Sequence, residues 1–213
     1  MAPPLQQEML KRLSPICFIT PDAAYDGLLE NTVRAALEAG IRWVQYRRKG
    51  VSRRQLFHDA GRLRDLTARF DAMFIVNDYV DIALVVDADG VHIGQDDLPL
   101  TETRRIMGNK IIGVSAHTLT EAVEADSGRA DYIGFGPIFH TSTKDAGAPK
   151  GPGSITAILH AVSAPVIAIG GITGDNVAEV FKSGCRAVAV SSGIFRGEIT
   201  KNVKNLLYNT NNY

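Results

Sequence analysis

The sequence predicts an α/β fold: eight parallel strands closed into a barrel and ringed by helices. Three observations carry that expectation. Eight short runs rich in β-branched and other apolar residues recur along the 213 residues. Each is apolar almost throughout rather than alternating, as in strands buried on both faces. Stretches with apolar residues at helical spacing separate several of them. A doubly wound open sheet usually has fewer strands and reverses its order once, so eight β/α units favour closure.

In chain order, the expected strands are ICFIT (16 to 20), WVQYR (43 to 47), MFIVN (73 to 77), GVHIG (90 to 94), IIGVSA (111 to 116), YIGFG (132 to 136), VIAIG (166 to 170) and AVAVS (187 to 191). After the first, Leu29, Val33, Ala36 and Leu37 form one apolar stripe, and Gly40 supplies a stop. The connections after MFIVN and GVHIG have room for about two turns each. A helix from Leu119 or Thr120 carries Ala122, Val123 and Ala125 and ends before Gly128. Thr173 is the expected cap of a helix carrying Val177, Val180 and Phe181, ended by Gly184. Leu5 to Leu13 suit a short helix closing the bottom, and the polar tail YNTNNY is expected to fray.

This length suits a single domain spanning residues 1–213. The 23 Lys plus Arg balance 23 Asp plus Glu, so no global field draws in nucleic acid or an anionic membrane. Recognition of a charged ligand must therefore come from local placement. The start MAPPLQQEMLKRL makes a poor secretory signal, and no run approaches the roughly 20 apolar residues of a membrane span. The expectation is a soluble cytoplasmic protein, with Cys17 and Cys185 as buried thiols rather than a disulfide.

Barrel enzymes place their chemistry in the loops after the strands, so the strand ends can be read as a wall. Gln45, Arg47 and Lys49 alternate out of the second strand, and period-2 spacing aims all three to one side. Asn77 and Asp78 end the third strand, and Asp97 follows the fourth. On neighbouring strands about 5 Å apart, Asp78 and Asp97 could share a hard cation, with Mg2+ favoured by oxygen donors. Asp81, Asp87 and Asp89 fit local turn or helix roles better. His92, inside a strand, fits a hydrogen-bonded core histidine better than a metal ligand.

Ser115 lies at the end of the fifth strand, and His117 and Thr118 follow it. Ser115 suits a phosphate contact, His117 a proton carrier or a surface group, and Thr118 a helix start. The irregular segment PIFHTSTKDAGAPKGPG (137 to 153) is longer than an ordinary barrel loop and brings Thr141, Ser142 and Thr143 beside Lys144. Gly170 and Gly171 after the seventh strand, with Ser191, Ser192 and Gly193 after the eighth, fit the frequent phosphate site at that end of a barrel. The wall thus offers two anionic subsites. One combines a cation with Arg47, Lys49, Ser115 and Lys144. The other combines Thr141 with the glycines and serines of the last two strands.

From about Ile16 to Phe195 the blocks QYRRK, FIVNDYVDIAL, GVHIGQDD, GVSAHT, DYIGFGPIFHTSTK and VIAIGGIT resemble the thiamine phosphate synthase family. That resemblance implies a TIM barrel, a transferase joining hydroxymethylpyrimidine diphosphate to thiazole phosphate with release of diphosphate, and Mg2+ as cofactor. It implies Asp78 and Asp97 as metal ligands and Gln45 at the pyrimidine. Arg47, Lys49, Asn77, Ser115 and Lys144 would hold the diphosphate, and Thr141, Thr143, Gly171, Ser191 and Ser192 the thiazole phosphate. The family often has Gln-Leu-Arg-Glu-Lys at the second strand, whereas Tyr46 and Arg48 stand here.

The related thiazole tautomerase shares the barrel and the phosphate end, but QYRRK, Asn77 with Asp78, and TSTK favour the synthase. A phosphate-ligand sensor on the same barrel would leave the cation-lined wall without a purpose. Small phosphorylated molecules are the expected partners, and a homo-oligomer is left open.

Overall fold

The computed structural model describes residues 14–22, 28–141 and 147–210. Its strands are β1 (Ile16–Ile19), β2 (Trp43–Tyr46), β3 (Met73–Asn77), β4 (Gly90–Ile93), β5 (Ile111–Ala116), β6 (Tyr132–Phe135), β7 (Val166–Ile169) and β8 (Ala187–Val190). They lie within one residue of the expected runs and pair in parallel, in sequence order, into a closed TIM-type barrel. Closure is made by β1 on β8, with Ile16 opposite Val188 and Phe18 opposite Val190.

The described helices are α1 (Leu29–Glu38), α2 (Arg53–Arg69), α3 (Val80–Val85), α4 (Leu100–Met107), α5 (Leu119–Ser127), α6 (Gly153–Ala161), α7 (Val177–Lys182), α8 (Ser192–Phe195) and α9 (Ile199–Thr210). In α1 the expected stripe of Leu29, Val33, Ala36 and Leu37 is buried. Thr118 caps α5, its hydroxyl accepting from the Glu121 N–H at 3.2 Å.

Two helical expectations need correction. Thr173 does not cap α7, because a turn intervenes: its hydroxyl accepts from the Asp175 N–H at 3.3 Å, and Asn176 occupies the cap position. The tail does not fray from Tyr208, because α9 continues to Thr210, whose side chain is buried and donates to the Leu207 carbonyl at 3.0 Å. The bottom helix expected over 5 to 13 and residues 211–213 lie outside the described residues.

The strands separate two apolar layers. One lies between sheet and helices and includes Phe18, Val44, Phe74, Val91 and Ile133. The other fills the barrel with Cys17, Ile19, Trp43, Met73, Ile75, Tyr132, Ile167, Ala187 and Ala189. Strand alternation divides them: Val44 faces the helices while Trp43 faces the axis. The cysteines are both free and lie in different layers, Cys17 inside the barrel and Cys185 outside it. Burial pushes both thiols up. Among the described residues no helix is long and apolar enough to cross a membrane.

Inward-facing glycines make room for large rings. A Cβ on Gly113 would fall 2.0 Å from Tyr132 Cζ, so only glycine lets that ring cross the barrel beside β5. Tyr132 then packs edge-on against Trp43, with ring centroids 5.2 Å apart.

Two alanine substitutions should therefore act with opposite sign. Gly113→Ala overpacks the barrel and should lower unfolding free energy by about 1–3 kcal/mol. Gly61→Ala, in α2 with nothing within 4 Å of the added carbon, should raise it by about 0.5–1 kcal/mol. Urea denaturation of the two variants checks both signs.

Candidate active site

The extended backbone leaving β2 sends Gln45, Arg47 and Lys49 to the cavity and Tyr46 and Arg48 to the helices. Arg48 is thus withdrawn from the mouth. Its Nη1 lies 2.5 Å from Asp59 Oδ2, and the Tyr46 hydroxyl donates to the same oxygen at 3.2 Å. Asp59, in α2, is 2% exposed. Burial works to raise its carboxyl, but hydrogen bonds from Arg48, Arg62 and Gln55 outweigh it and hold the group below the usual aspartate range. The departure from the family's acidic residue at position 48 is matched by this buried carboxylate and adds no charge to the cavity.

At the ends of β3 and β4, Asp78 and Asp97 come together. Asp78 has φ +66°, a left-handed conformation uncommon for a non-glycine residue, fixed by its N–H donating to the His92 carbonyl at 2.8 Å. Asp97 Oδ2 accepts from the Gly94 N–H at 2.7 Å. The two carboxyls are within hydrogen-bonding reach of one another, and Lys49 Nζ lies 3.0 Å from Asp78 Oδ2. Burial, with Asp78 beside it, pushes the Asp97 carboxyl up against the opposing pull of the Gly94 N–H and Lys49. The other acids expected to be local are so: Asp81 pairs with Arg53, Asp87 with Lys110, and Asp89 accepts from the Phe74 N–H at 2.7 Å.

Ser115, at the end of β5, faces the same space, its hydroxyl 2.9 Å from His92 Nε2. His117 Nδ1 lies 2.9 Å from the Gly136 carbonyl oxygen. Thr141 lines the cavity, whereas Thr143 and Lys144, with Ser142, lie outside the described residues. On the far side, Gly171 (φ +64°) admits the His140 carbonyl to a place where a Cβ would sit 2.3 Å from its oxygen. The Ser191 hydroxyl is buried with no hydrogen-bond partner among the described residues. A buried hydroxyl without a partner costs free energy, and a bound anion would relieve that cost.

These residues line one cavity of about 250 Å³ at the C-terminal ends of the strands. Gln45, Arg47, Lys49, Asn77, Asp78, Asp97, Ser115, Thr141, Gly171, Ser191 and Ser192 all border it. The two subsites read from the strand ends are therefore two sides of a continuous space. The first strand also contributes, through Thr20, which lines the cavity, and Asp22 just beyond it. The Thr20 hydroxyl donates to the Arg47 carbonyl at 3.0 Å and accepts from the Arg47 N–H at 2.9 Å. Asp22 lies 2.6 Å from Arg47 Nη1 and accepts from the Lys49 N–H at 3.1 Å. The rule that found the other strand ends would have found Thr20.

A closed (β/α)8 barrel whose strand-end cavity joins two carboxylates, cationic side chains and a buried serine hydroxyl defines a barrel enzyme acting on anionic substrates. Residues 16–194 match the family described as thiamine monophosphate synthase, and the chain belongs to that family. It is 52% identical over 163 residues to the thiamine-phosphate synthase of Chloroflexus aurantiacus, covering 76% of each chain. With thiamine-phosphate synthase 1 of Aquifex aeolicus it shares 45% over 181 residues, 84% of each. Its structure is similar to the thiamine phosphate pyrophosphorylase of Pyrococcus furiosus, with a TM-score of 0.87 and 37% identity, covering 95% of this chain and 98% of that one.

Arg48→Ala should lower unfolding free energy by about 1.5–3 kcal/mol near neutral pH, the contribution of a hydrogen bond to a charged group. Because the folded Asp59 carboxyl is held below its ordinary value of 3.8, its stabilisation is present above that value and lost as pH falls through the folded one. The gap between variant and wild type should therefore close in strong acid, as followed by urea denaturation across pH.

Proposed function

We propose that this protein joins hydroxymethylpyrimidine diphosphate to thiazole phosphate, forming thiamine phosphate and releasing diphosphate. The observation that carries this reading is the convergence of Asp78 and Asp97 beside Lys49, in a cavity that also holds Gln45, Ser115 and the serines after β8. The named relatives and the family match support the same reaction.

The bond that breaks joins the pyrimidine methylene to the diphosphate oxygen, which leaves with the electron pair. The electron-rich aminopyrimidine stabilises the resulting cation, and the thiazole nitrogen then attacks it. Arg47 and Lys49 stabilise charge growing on the leaving group, and Ser115 donates to one of its oxygens. Lys144 is assigned to the same task from its motif. Gln45 orients the pyrimidine, while Thr141, Thr143, Gly171, Ser191 and Ser192 hold the thiazole phosphate. The enclosing walls keep water from the cation. No protein nucleophile is required.

The donor set fits Mg2+. Among the described residues no group of three His, Cys, Asp or Glu side chains could hold a metal alone. Mg2+ is commonly held by only one or two carboxylates, its shell completed by substrate phosphates and water. Asp78 and Asp97 would hold it, and bound there it would neutralise the departing diphosphate.

Purified protein given both substrates and Mg2+ should yield joined product and diphosphate; pyrimidine hydrolysis without joining would overturn the reading. Asp78→Asn and Asp97→Asn should each reduce joining by about a hundredfold or more, as for loss of a group that stabilises transition-state charge. Since Asp97 must ionise to bind a cation and its carboxyl is pushed up, Mg2+ affinity should weaken as pH falls through that raised value. Calorimetric titration with Mg2+ and inorganic diphosphate at several pH values checks the direction.

A further inference from the structure

Two buried side chains with no part in the mechanism above, Tyr132 and His92, connect two that have one, Gln45 and Ser115, in a row along the cavity floor. His92 Nδ1 lies 3.0 Å from the Tyr132 hydroxyl, and His92 Nε2 lies 2.9 Å from Ser115 Oγ. The Gln45 amide is a hydrogen-bonding neighbour of the same Tyr132 oxygen. Gln45, Tyr132 and His92 are 3%, 2% and 7% exposed, so the groups depend on one another rather than on solvent. The row is built for: Gly113 leaves the space that the Tyr132 ring fills, and a Cβ on Gly134 would stand 3.1 Å from His92 Cε1. Its two ends, Gln45 and Ser115, both line the cavity.

Such a row has a direction. A serine hydroxyl, a phenol and a neutral imidazole each carry one proton to donate, so fixing one bond fixes the next. Diphosphate oxygens only accept, so Ser115 facing them must donate into the cavity. The Ser115 oxygen then accepts from His92 Nε2–H, leaving Nδ1 bare to accept the Tyr132 proton. Burial keeps that proton on Tyr132 by pushing the phenol well above its ordinary value. The Tyr132 oxygen is left to accept from a Gln45 N–H. The amide is then locked with its carbonyl oxygen and second N–H toward the ligand.

That face of an amide is complementary to an aminopyrimidine edge, where an amino group donates and the adjacent ring nitrogen accepts. An oxopyrimidine presents the reverse pattern, a carbonyl beside a ring N–H. Binding it would require the amide to flip. Gln45 would then turn its oxygen to Tyr132, every bond in the row would reverse, and Ser115 would lose the proton it offers the diphosphate.

We propose that Tyr132 and His92 are positioning residues whose directed hydrogen bonds lock the Gln45 amide to select an aminopyrimidine over an oxopyrimidine and turn the Ser115 proton toward the diphosphate. This rests on the function proposed above and adds the determinant of its donor specificity. The two ends of one substrate are coupled through the protein: the correct ring edge and the diphosphate demand the same direction of the row.

Two measurements test it. In the full-length protein labelled with 15N-histidine, with Mg2+ and inorganic diphosphate added, His92 should carry its proton on Nε2 alone, its resonance identified by its loss in His92→Asn. A proton on Nδ1, or on both nitrogens, would overturn the proposal. Second, dissociation constants of the aminopyrimidine and oxopyrimidine diphosphates, measured by calorimetry without thiazole phosphate, are compared between wild type and Tyr132→Phe, which keeps the ring against Trp43. The preference for the amino compound should fall by about tenfold or more, the scale on which mismatched buried hydrogen bonds discriminate. Equal weakening of both ligands would mean Tyr132 serves packing alone and would also overturn the proposal. Failure of the wild type to make joined product would remove the functional reading, whereas the tautomer is read without turnover.

Discussion

Closure of the sheet by β1 on β8 is the constraint on which the rest of this molecule depends. A closed parallel barrel has an inside, and alternate residues of each strand must point into it. The lower part is filled by Trp43, Met73, Tyr132 and Ile167, whose polar atoms are the Tyr132 hydroxyl, held by His92, and the Trp43 N–H, which has no partner among the described residues. Toward the C-terminal ends the same inward positions turn polar: Gln45 above Trp43, Asn77 above Ile75, Ser115 above Gly113. The apolar plug keeps water out from below, and the polar ring above it forms the floor of the cavity. Closure also makes the serines after β8 neighbours of Thr20 after β1, so strands far apart in sequence share one wall.

Charge is distributed by the same alternation. The chain is neutral overall, yet three consecutive basic residues leave β2, and the backbone divides them. Arg47 and Lys49 go to the cavity, where Asp22 and Asp78 face them. Arg48 goes to the helical layer, where Asp59 receives it together with Arg62, Gln55 and Tyr46. The carboxylates in the two places have opposite fates. Asp59, surrounded by donors, is held ionised, whereas Asp97, beside another carboxyl, is pushed toward protonation. The cation proposed between Asp78 and Asp97 would relieve the second arrangement; the first is already satisfied.

The strand pattern was legible because strands covered on both faces must be apolar throughout, and runs such as VIAIG and AVAVS have no other economical use. The cavity-facing residues were legible for a related reason: in a barrel, the residue after a strand is at the mouth. Helix starts were less so. Thr118 is a cap, but Thr173, an equally good candidate by type, spends its hydroxyl in a preceding turn, and which of these happens depends on where the chain must enter the helix. Tyr208, Asn209 and Thr210 looked like loose tail residues, yet the last turn of α9 orders them, since Val203 and Leu206 are buried and Asn209 reaches the Gly174 carbonyl at 2.9 Å.

The sequence by itself determined the eight strand runs, favoured their closure into a barrel, and set the side of the sheet to which Gln45, Arg47, Lys49, Asp78 and Asp97 belong, because hydrophobic period and strand alternation are local properties written residue by residue. Only the tertiary structure decided that Arg48 meets Asp59, that Asp22 faces Arg47, and that Gln45, Tyr132, His92 and Ser115 form one connected row. Those contacts join groups on different strands and helices, and distance across a closed barrel is set by register and packing, which no single stretch of sequence encodes.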